Sequence, residues 1–314
     1  MTLFSIRRMT DQDLLPIAAV ERATTLSKDT LRIWERRYGF PQPLRNAQGE
    51  RLYPADQVQR LQLMQLLLSN GLRPAAIASL PLEALKTLLD ECQARALPPA
   101  TPELPLQNEC LRELAQHNMP GLLQLLNQSA KRLGIARLVC DVLPDLTAEV
   151  GRAWARGAIA VFEEHLYTEC VSTLLRQMLA ELTLQTDRRP PRILLTTVPQ
   201  ESHGLGLLMA HTLMALEGCD CRSLGLQTPI ADMVQAAAAQ AVDVLALSFS
   251  QTMRGADVQR SLRAVRQALP EHVQIWAGGS HPALLKLALP GVAPLIQLGQ
   301  IGPAVAAWRA AQQH

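Results

Sequence analysis

Residues 192–208, RILLTTVPQESHGLGLL, join a short apolar run to a polar loop and then to the start of an apolar helix. The run has the length of a buried β-strand, and the helical pattern after it continues as far as Gly218. Four more apolar runs alternate with helical patterns: CDCRSLGL (219–226), VDVLALSFS (242–250), VQIWAGG (273–279) and APLIQLG (293–299). This alternation predicts one parallel, doubly wound α/β sheet of five strands with helices on both faces, including a helix over PALLKLAL (282–289).

His203 lies in the loop that follows the first of these strands. In a doubly wound sheet, the loops at the carboxyl ends of the strands form the ligand crevice. Glu201 can accept a hydrogen bond from one imidazole nitrogen, which leaves the other free to bind a metal. Gly204 and Gly206 allow a bulky planar ligand to approach the backbone. The other candidate residues at this edge are Ser202, Ser248, Ser250, Gly278 and Gly279.

Other site types are disfavoured by spacing and composition. A zinc ion would need further ligands at suitable spacing, and GLGLL does not match the G-x-G-x-x-G pattern of dinucleotide sites. The six cysteines form no CxxC pair, which is typical of free thiols in a reducing compartment. We find no signal peptide and no apolar stretch of about 18 residues, so we expect a cytoplasmic protein without a membrane span.

The N-terminal region carries a short basic helix with clear boundaries. Ser27 is a suitable N-cap, Gly39 is a suitable C-terminal residue, and Pro41 prevents the helix from continuing. A helix over 17–25 precedes it, and LRNAQGERLYP follows it as an arginine-bearing hairpin. This order predicts a winged helix-turn-helix that binds DNA, although its charges alone fit a solvated helix face equally well.

The order of residues in this region is more specific than its charge. TLRIWERRYGFPQPLRNAQGERLYPADQVQRL (30–61) resembles the MerR family of bacterial transcription regulators over about residues 15–80. The resemblance implies a module that binds palindromic promoter DNA as a dimer. The residues it implies in DNA contact, or in its support, are Thr30, Arg32, Trp34, Arg36, Arg37, Tyr38, Arg51 and Tyr53, and we add Arg45 of the wing.

The middle region is helical by pattern and contains an unusual set of side chains. Val161, Glu164 and His165 share one helix face, and Trp154 precedes them; each alone fits an ordinary core or surface position. This segment resembles the W-x9-EH signature of CarH/LitR-type light-responsive MerR regulators, because nine residues separate Trp154 from the pair Glu164-His165. The resemblance implies a helical cap whose Trp154, Val161, Glu164 and His165 cover the upper face of adenosylcobalamin.

One position departs from that signature. Light-responsive members carry a histidine directly after the tryptophan, which ligates cobalt after light removes the adenosyl group, whereas this chain has Ala155. A methyl group cannot ligate a metal. The departure therefore argues against a light product held by two histidines.

The loop at His203 also matches a family pattern. ESHGLG resembles the D/E-x-H-x-x-G motif of cobalamin-binding domains, with Glu in place of the more frequent Asp. The resemblance covers about residues 190–314. It implies that His203 is the lower cobalt ligand and that the dimethylbenzimidazole tail lies near Ser248, Ser250, Gly278 and Gly279, although SFS stands where the motif has S-x-L.

Together these patterns predict a multidomain chain. Its parts are an all-α winged helix-turn-helix (1–95), a proline-rich linker (96–105), a four-helix cap bundle (106–188) and a Rossmann-like, flavodoxin-type cobalamin-binding domain (189–314). The expected function is a non-enzymatic regulator that senses adenosylcobalamin and light and forms a dimer or tetramer on promoter DNA. Two alternatives remain: a regulator that has lost cofactor dependence and uses a protein partner, and a corrinoid methyl carrier or enzyme, which would not need the N-terminal module.

Overall fold

The computed structural model describes residues 14–24, 26–69, 72–94, 104–185 and 188–312. The chain forms two compact units. The first comprises residues up to Thr101 together with Arg152–Ile159, and the second comprises Pro102–Gly151 together with Ala160–His314. Among the helices of these described ranges, none has both the length and the apolar character needed to cross a membrane.

The first unit is a small antiparallel sheet packed against helices. Its strands, in the order β1-β3-β2, are β1 (Leu14–Pro16), β2 (Leu44–Arg45) and β3 (Arg51–Pro54). Its helices are α1 (Ile17–Thr24), α2 (Lys28–Tyr38), α3 (Ala55–Ser69), α4 (Pro74–Ile77) and α5 (Leu82–Ala94). The predicted helix-turn-helix and wing are confirmed.

The boundaries of α2 follow from local chemistry. The Ser27 hydroxyl accepts a hydrogen bond from the backbone N–H of Thr30, an amide that has no partner within the helix. Gly39 ends the helix in the left-handed conformation with φ of 66°, which glycine adopts without steric cost. Leu31 and Trp34 lie in the core of the unit, as predicted.

Helices form the first part of the second unit, except that the last residues of one of them, from Arg152, belong to the first unit. These are α6 (Leu104–Ala115), α7 (Met119–Leu133), α8 (Ile135–Arg137) continuing through a π-helical turn (Leu138–Val142) into α9 (Leu143–Ala155), and α10 (Val161–Gln185). When α8, the π-helical turn and α9 are counted as one continuous helix, these elements form the predicted four-helix bundle. The predicted linker 96–105 lies largely outside the described residues, and α6 begins before its end because proline is tolerated in the first turn of a helix.

The second part is a five-stranded parallel sheet in the order β5-β4-β6-β7-β8. Its elements are β4 (Arg189–Thr196), α11 (Leu205–Leu216), β5 (Cys219–Gly225), α12 (Ile230–Ala239), β6 (Val244–Ser248), α13 (Gly255–Ala268), β7 (Gln274–Gly278), β8 (Val292–Leu295) and α14 (Ile301–Ala311). The predicted doubly wound sheet is confirmed. Because β4 lies between β5 and β6, the strand order reverses beside the loop that carries His203.

The helix predicted over 282–289 is wrong in extent. Only a 3₁₀ turn forms over Pro282–Lys286, and Leu287 is already extended. Leu284 is buried, whereas Leu285 is 68% exposed, so a longer helix would have little apolar surface to cover. Pro290 also disfavours helical backbone at the residue before it.

Candidate functional site

Glu201 is the structural centre of the site after β4. Its side chain is almost fully buried, and its two oxygens divide their partners between two loops. Oε1 accepts from the backbone N–H of His203 at 2.9 Å and lies 2.7 Å from His203 Nδ1. Oε2 accepts from the backbone N–H and the hydroxyl of Ser250, both at 2.7 Å. The carboxylate therefore joins the loop after β4 to the loop after β6.

These hydrogen bonds determine the protonation states of Glu201 and His203. Burial acts to raise the pKa of Glu201, but the hydrogen bonds from His203 and Ser250 together outweigh it, so that the pKa lies below its ordinary value. An ionised carboxylate only accepts hydrogen bonds, so His203 Nδ1 carries the proton. Because the described residues provide His203 with partners at Nδ1 alone, Nε2 keeps an open lone pair when the ring is neutral.

The pKa of His203 is raised, mainly by its hydrogen bond to Glu201. Burial opposes this rise, and the negative charges of Glu201 and then Glu164 add to it. The contribution of Glu164 is informative because this residue belongs to α10 of the helical bundle. The bundle thus brings a predicted upper-face carboxylate into electrostatic range of the predicted lower ligand.

Sequence reasoning missed two threonines that support the loop. The Thr252 hydroxyl lies 2.7 Å from the Ser250 hydroxyl and 3.3 Å from His203 Nδ1. The Thr197 hydroxyl donates to the Glu201 carbonyl and accepts from the backbone N–H of Gln227. A threonine in a loop or at the end of a strand is a weak signal in sequence, because one partner of each, Gln227 for Thr197 and His203 for Thr252, lies about 30 to 50 residues away along the chain.

The predicted glycines play different structural roles. A Cβ atom at Gly279 would lie 2.1 Å from the Phe249 carbonyl oxygen, whereas one at Gly278 would lie 3.3 Å from the Leu295 carbonyl. At Gly204 a Cβ would meet the flexible Leu226 side chain, and at Gly206 it would be in ordinary contact with Ser248. Gly279 is thus required by the fold itself. The other three leave room at the carboxyl edge of the sheet.

The remaining sheet-edge candidates differ in exposure. Ser202 is exposed beside His203, and Ser248 is buried at the end of β6. Ser250 contacts Glu201 directly, so its clearest role is to hold that carboxylate. Within the described ranges, no group of three or more His, Cys, Asp or Glu side chains is arranged to hold a metal ion. A metal at His203 would therefore need most of its ligands from the group that carries it.

The start of α10 carries the predicted upper-face residues. Val161 and His165 are exposed, and His165 Nδ1 lies 2.8 Å from a Glu164 oxygen whose partner oxygen accepts from Thr168. Glu163 fixes this end of the helix: one carboxylate oxygen accepts from the Ala160 backbone N–H, and the other lies 2.9 Å from His117 Nε2. The Ala160 and His117 hydrogen bonds lower the pKa of Glu163 against a partial opposing effect of burial.

The structure does not bring Trp154 into the same compact unit as His203. Trp154 is half-buried near the end of α9, in the segment Arg152–Ile159 that belongs to the first unit. Glu164, His165 and His203 all belong to the second. A position of Trp154 above a bound cofactor therefore stays a prediction, as does the consequence of Ala155, the last residue of α9.

The predicted DNA-contacting residues of α2 fall into two groups. Arg32, Arg36 and Arg37 are exposed, and Trp34 is buried. Trp34, Thr30 and Tyr38 support the helix instead. The Thr30 hydroxyl pairs with the N-cap Ser27, and Tyr38 lies edge-on to Trp34 beneath the Arg37 guanidinium.

The wing shows a similar division. Arg45 is exposed and donates to the Gly49 carbonyl at the hairpin turn. Arg51 forms a 2.9 Å ion pair with Glu35 of α2, which holds the wing against the helix. Tyr53 is fully buried, and burial raises its pKa. Tyr53 can therefore support a DNA contact only through packing.

Three family models match separate parts of the chain. A model described as MerR HTH family regulatory protein matches residues 15–83. Models described as B12 binding domain match residues 106–178 and residues 191–296. The matched regions coincide with the helix-turn-helix and wing, the helical bundle and the parallel sheet.

Two curated proteins of Myxococcus xanthus are similar over most of their length. The HTH-type transcriptional repressor CarH is 29% identical over 254 residues, covering 80% of this chain and 84% of CarH. The HTH-type transcriptional repressor CarA is 30% identical over 245 residues, covering 75% of this chain and 76% of CarA. Both matches extend beyond any single domain.

A solved structure of the Methanosarcina barkeri monomethylamine corrinoid protein is similar in fold, with a TM-score of 0.51 and 16% identity. The match covers 65% of this chain and 99% of that protein. At this identity the likeness concerns the fold alone. The family follows instead from the matched domains and the full-length relatives: this chain belongs to the MerR family of transcription regulators that carry a C-terminal cobalamin-binding domain.

Proposed function

We propose that this protein is a transcription regulator whose promoter binding is controlled by adenosylcobalamin bound at His203, and by light. The observation that carries the proposal is the Glu201–His203 pair. A buried, ionised carboxylate holds Nδ1, and the open Nε2 lies in the loop beside the reversal of strand order. A corrin ring supplies four nitrogen ligands to its cobalt, so one protein nitrogen is sufficient at this site.

The cofactor would be held from both sides. His203 would provide the lower ligand, oriented by Glu201, Ser250 and Thr252, while Glu164 and His165 of α10 would contact the upper face with Val161 and Trp154. Gly204, Gly206 and Gly278 would allow close approach, and the nucleotide tail would extend past Ser248. When bound, adenosylcobalamin supplies a cobalt–carbon bond that light can break.

Promoter binding would use α2 and the wing. The exposed arginines of α2 suit base edges and phosphates in the major groove, and Arg45 suits the backbone. We propose a homodimer or homotetramer acting on double-stranded DNA in the cytoplasm. The cofactor would favour one assembly, so that binding of DNA and of cofactor are coupled through the population of that assembly.

Ala155 favours a second possibility for how promoter binding is controlled. Without a histidine at this position, the state after illumination cannot be held by the two-histidine arrangement that the light-responsive members use. A member that no longer depends on cofactor would need another input, such as a regulatory protein partner. These possibilities differ in whether cofactor and light change the assembly.

A single purification distinguishes them. The protein is purified in the dark with adenosylcobalamin, and its absorption spectrum, solution mass and promoter binding are recorded before and after illumination. We expect a bound corrinoid spectrum and an assembly that changes with light. A colourless protein that binds DNA equally well with and without cofactor would establish the partner-dependent alternative instead.

Arg36→Ala should weaken promoter binding, and by a larger factor at low salt than at high salt. Removal of a phosphate-contacting cation reduces the number of counterions released, so the slope of log affinity against log salt should fall by about one per site. Fluorescence anisotropy over a salt series measures this slope. Arg260→Ala is the matched control, because Arg260 is an exposed helical arginine in the C-terminal domain. An unchanged slope for Arg36→Ala would refute the contact.

A further inference from the structure

Two large aliphatic side chains are exposed on the predicted DNA-contacting elements of the first unit. In the described part of this unit, the exposed large hydrophobic residues are Ile33 on α2 and Leu44 on the wing, each 49% exposed. Single exposed aliphatic residues are common on protein surfaces. Here, however, both stand directly beside arginines, Ile33 next to Arg32 and Leu44 next to Arg45.

Ile33 lies near the middle of the exposed face of α2. At 3.6 residues per turn, the exposed positions of the helix form one continuous arc, with Leu31 and Trp34 on the opposite side. Ile33 has Arg36 and Arg37 as its i+3 and i+4 neighbours on this arc. The remaining members of the arc are Asp29 and Arg32, which form a 3.3 Å ion pair.

This arrangement places an aliphatic group where a base edge would be read. Of the groups that base pairs present in the major groove, the C5-methyl of thymine is the apolar one. Flanking arginines attract the phosphates and can bind guanine, so they bring the centre of the face close to the base edges. An isoleucine there has no hydrogen bond to offer and can gain free energy only by apolar contact.

We infer that Ile33 is a specificity residue that contacts the methyl group of a thymine in each promoter half-site. The inference rests on the proposed role of α2 as the helix that enters the major groove. Leu44 differs in this respect because the wing follows the DNA backbone, where every nucleotide presents the same sugar. Its contribution should therefore be independent of base identity.

The test removes one methyl group at a time from the DNA. The full-length protein with adenosylcobalamin first selects a duplex from a random-sequence pool. Each thymine of that duplex is then replaced singly by deoxyuridine, which lacks only the methyl group. We expect the wild-type protein to lose about fourfold in affinity at one thymine per half-site, the effect of exposing one buried methyl group.

The variant Ile33→Ala connects this loss to the side chain. It should bind the thymine duplex more weakly than the wild type and should be insensitive to deoxyuridine at the critical position. Leu44→Ala, with the same exposed fraction, should keep the wild-type sensitivity. Circular dichroism and the corrinoid spectrum confirm that both variants fold.

The possible failures are distinguishable. If no duplex is enriched, the proposed promoter binding itself fails. If a duplex is enriched but no single deoxyuridine weakens the wild type, or if Ile33→Ala retains the wild-type sensitivity at the critical thymine, then Ile33 does not read a methyl group. The deoxyuridine scan of the wild type requires no substitution in the protein, so this outcome does not depend on how a variant folds.

Discussion

His203→Ala is expected to abolish the absorption spectrum of histidine-ligated cobalamin and, with it, cofactor-dependent assembly. The substitution removes the imidazole whose Nε2 is the open ligand, whereas Glu201 keeps its two hydrogen bonds from Ser250. Loss of a group that merely orients a metal ligand typically costs about 10–100-fold in metal affinity, so loss of the ligand itself should cost more. Absorption spectroscopy and equilibrium dialysis with adenosylcobalamin measure both effects.

Two comparisons separate ligation from a general effect on folding. His272→Ala removes an exposed histidine of the same domain and should leave the spectrum and affinity unchanged. Added imidazole should partly restore a nitrogen-ligated spectrum in His203→Ala, because a free imidazole can enter the space left by the side chain. A His203→Ala protein that retains the wild-type spectrum without imidazole would show that His203 is not the ligand.

Gly279→Ala should strongly destabilise the C-terminal domain even though it adds only one methyl group. The backbone at Gly279 has φ of 121°, where a side chain is strained by about 1–3 kcal/mol. The new Cβ would also lie 2.1 Å from the Phe249 carbonyl oxygen and closer than 3 Å to the Phe249 backbone nitrogen. Because backbone on both sides must move, we expect the free energy of unfolding to fall by about 3 kcal/mol or more.

Hydrogen exchange is the suitable measurement, because a multidomain chain does not unfold in one two-state transition. Protection of β6 and β7 should fall sharply in Gly279→Ala. Gly278→Ala is the matched control: its Cβ would lie 3.3 Å from the Leu295 carbonyl, and its φ lies outside the left-handed region. Equal protection in Gly279→Ala and wild type would contradict the steric argument.

Gly278→Ala also bears on the cofactor. If the nucleotide tail passes this residue, the variant should bind adenosylcobalamin more weakly while keeping nearly normal hydrogen-exchange protection. The two adjacent glycines would then have separable roles, Gly279 in the fold and Gly278 in ligand binding.

Much of the fold could be predicted because local signals agreed with each other. The five apolar runs separated by helical patterns correspond to the five strands, and Ser27 and Gly39 bound α2 as their chemistry predicts. The weaker predictions were those in which packing competes with pattern. Residues 282–289 have a helical composition, but only a 3₁₀ turn forms, because Leu285 has no core to contact and Pro290 follows.

The sequence by itself determined that Glu201 and His203 stand together after a strand, because residues two apart in a loop remain neighbours in any fold. It also determined that the arginines of α2 lie on one short helix, because the capping residues at both ends set the boundaries of that helix. The contacts of Ser250 and Thr252 with Glu201 and His203 were decided only by the tertiary structure, since parallel β4 and β6 align loops that are almost 50 residues apart. The same holds for the buried position of Tyr53, the clash that makes Gly279 obligatory and the exposure of Ile33, because burial is a property of the packed elements and not of their order.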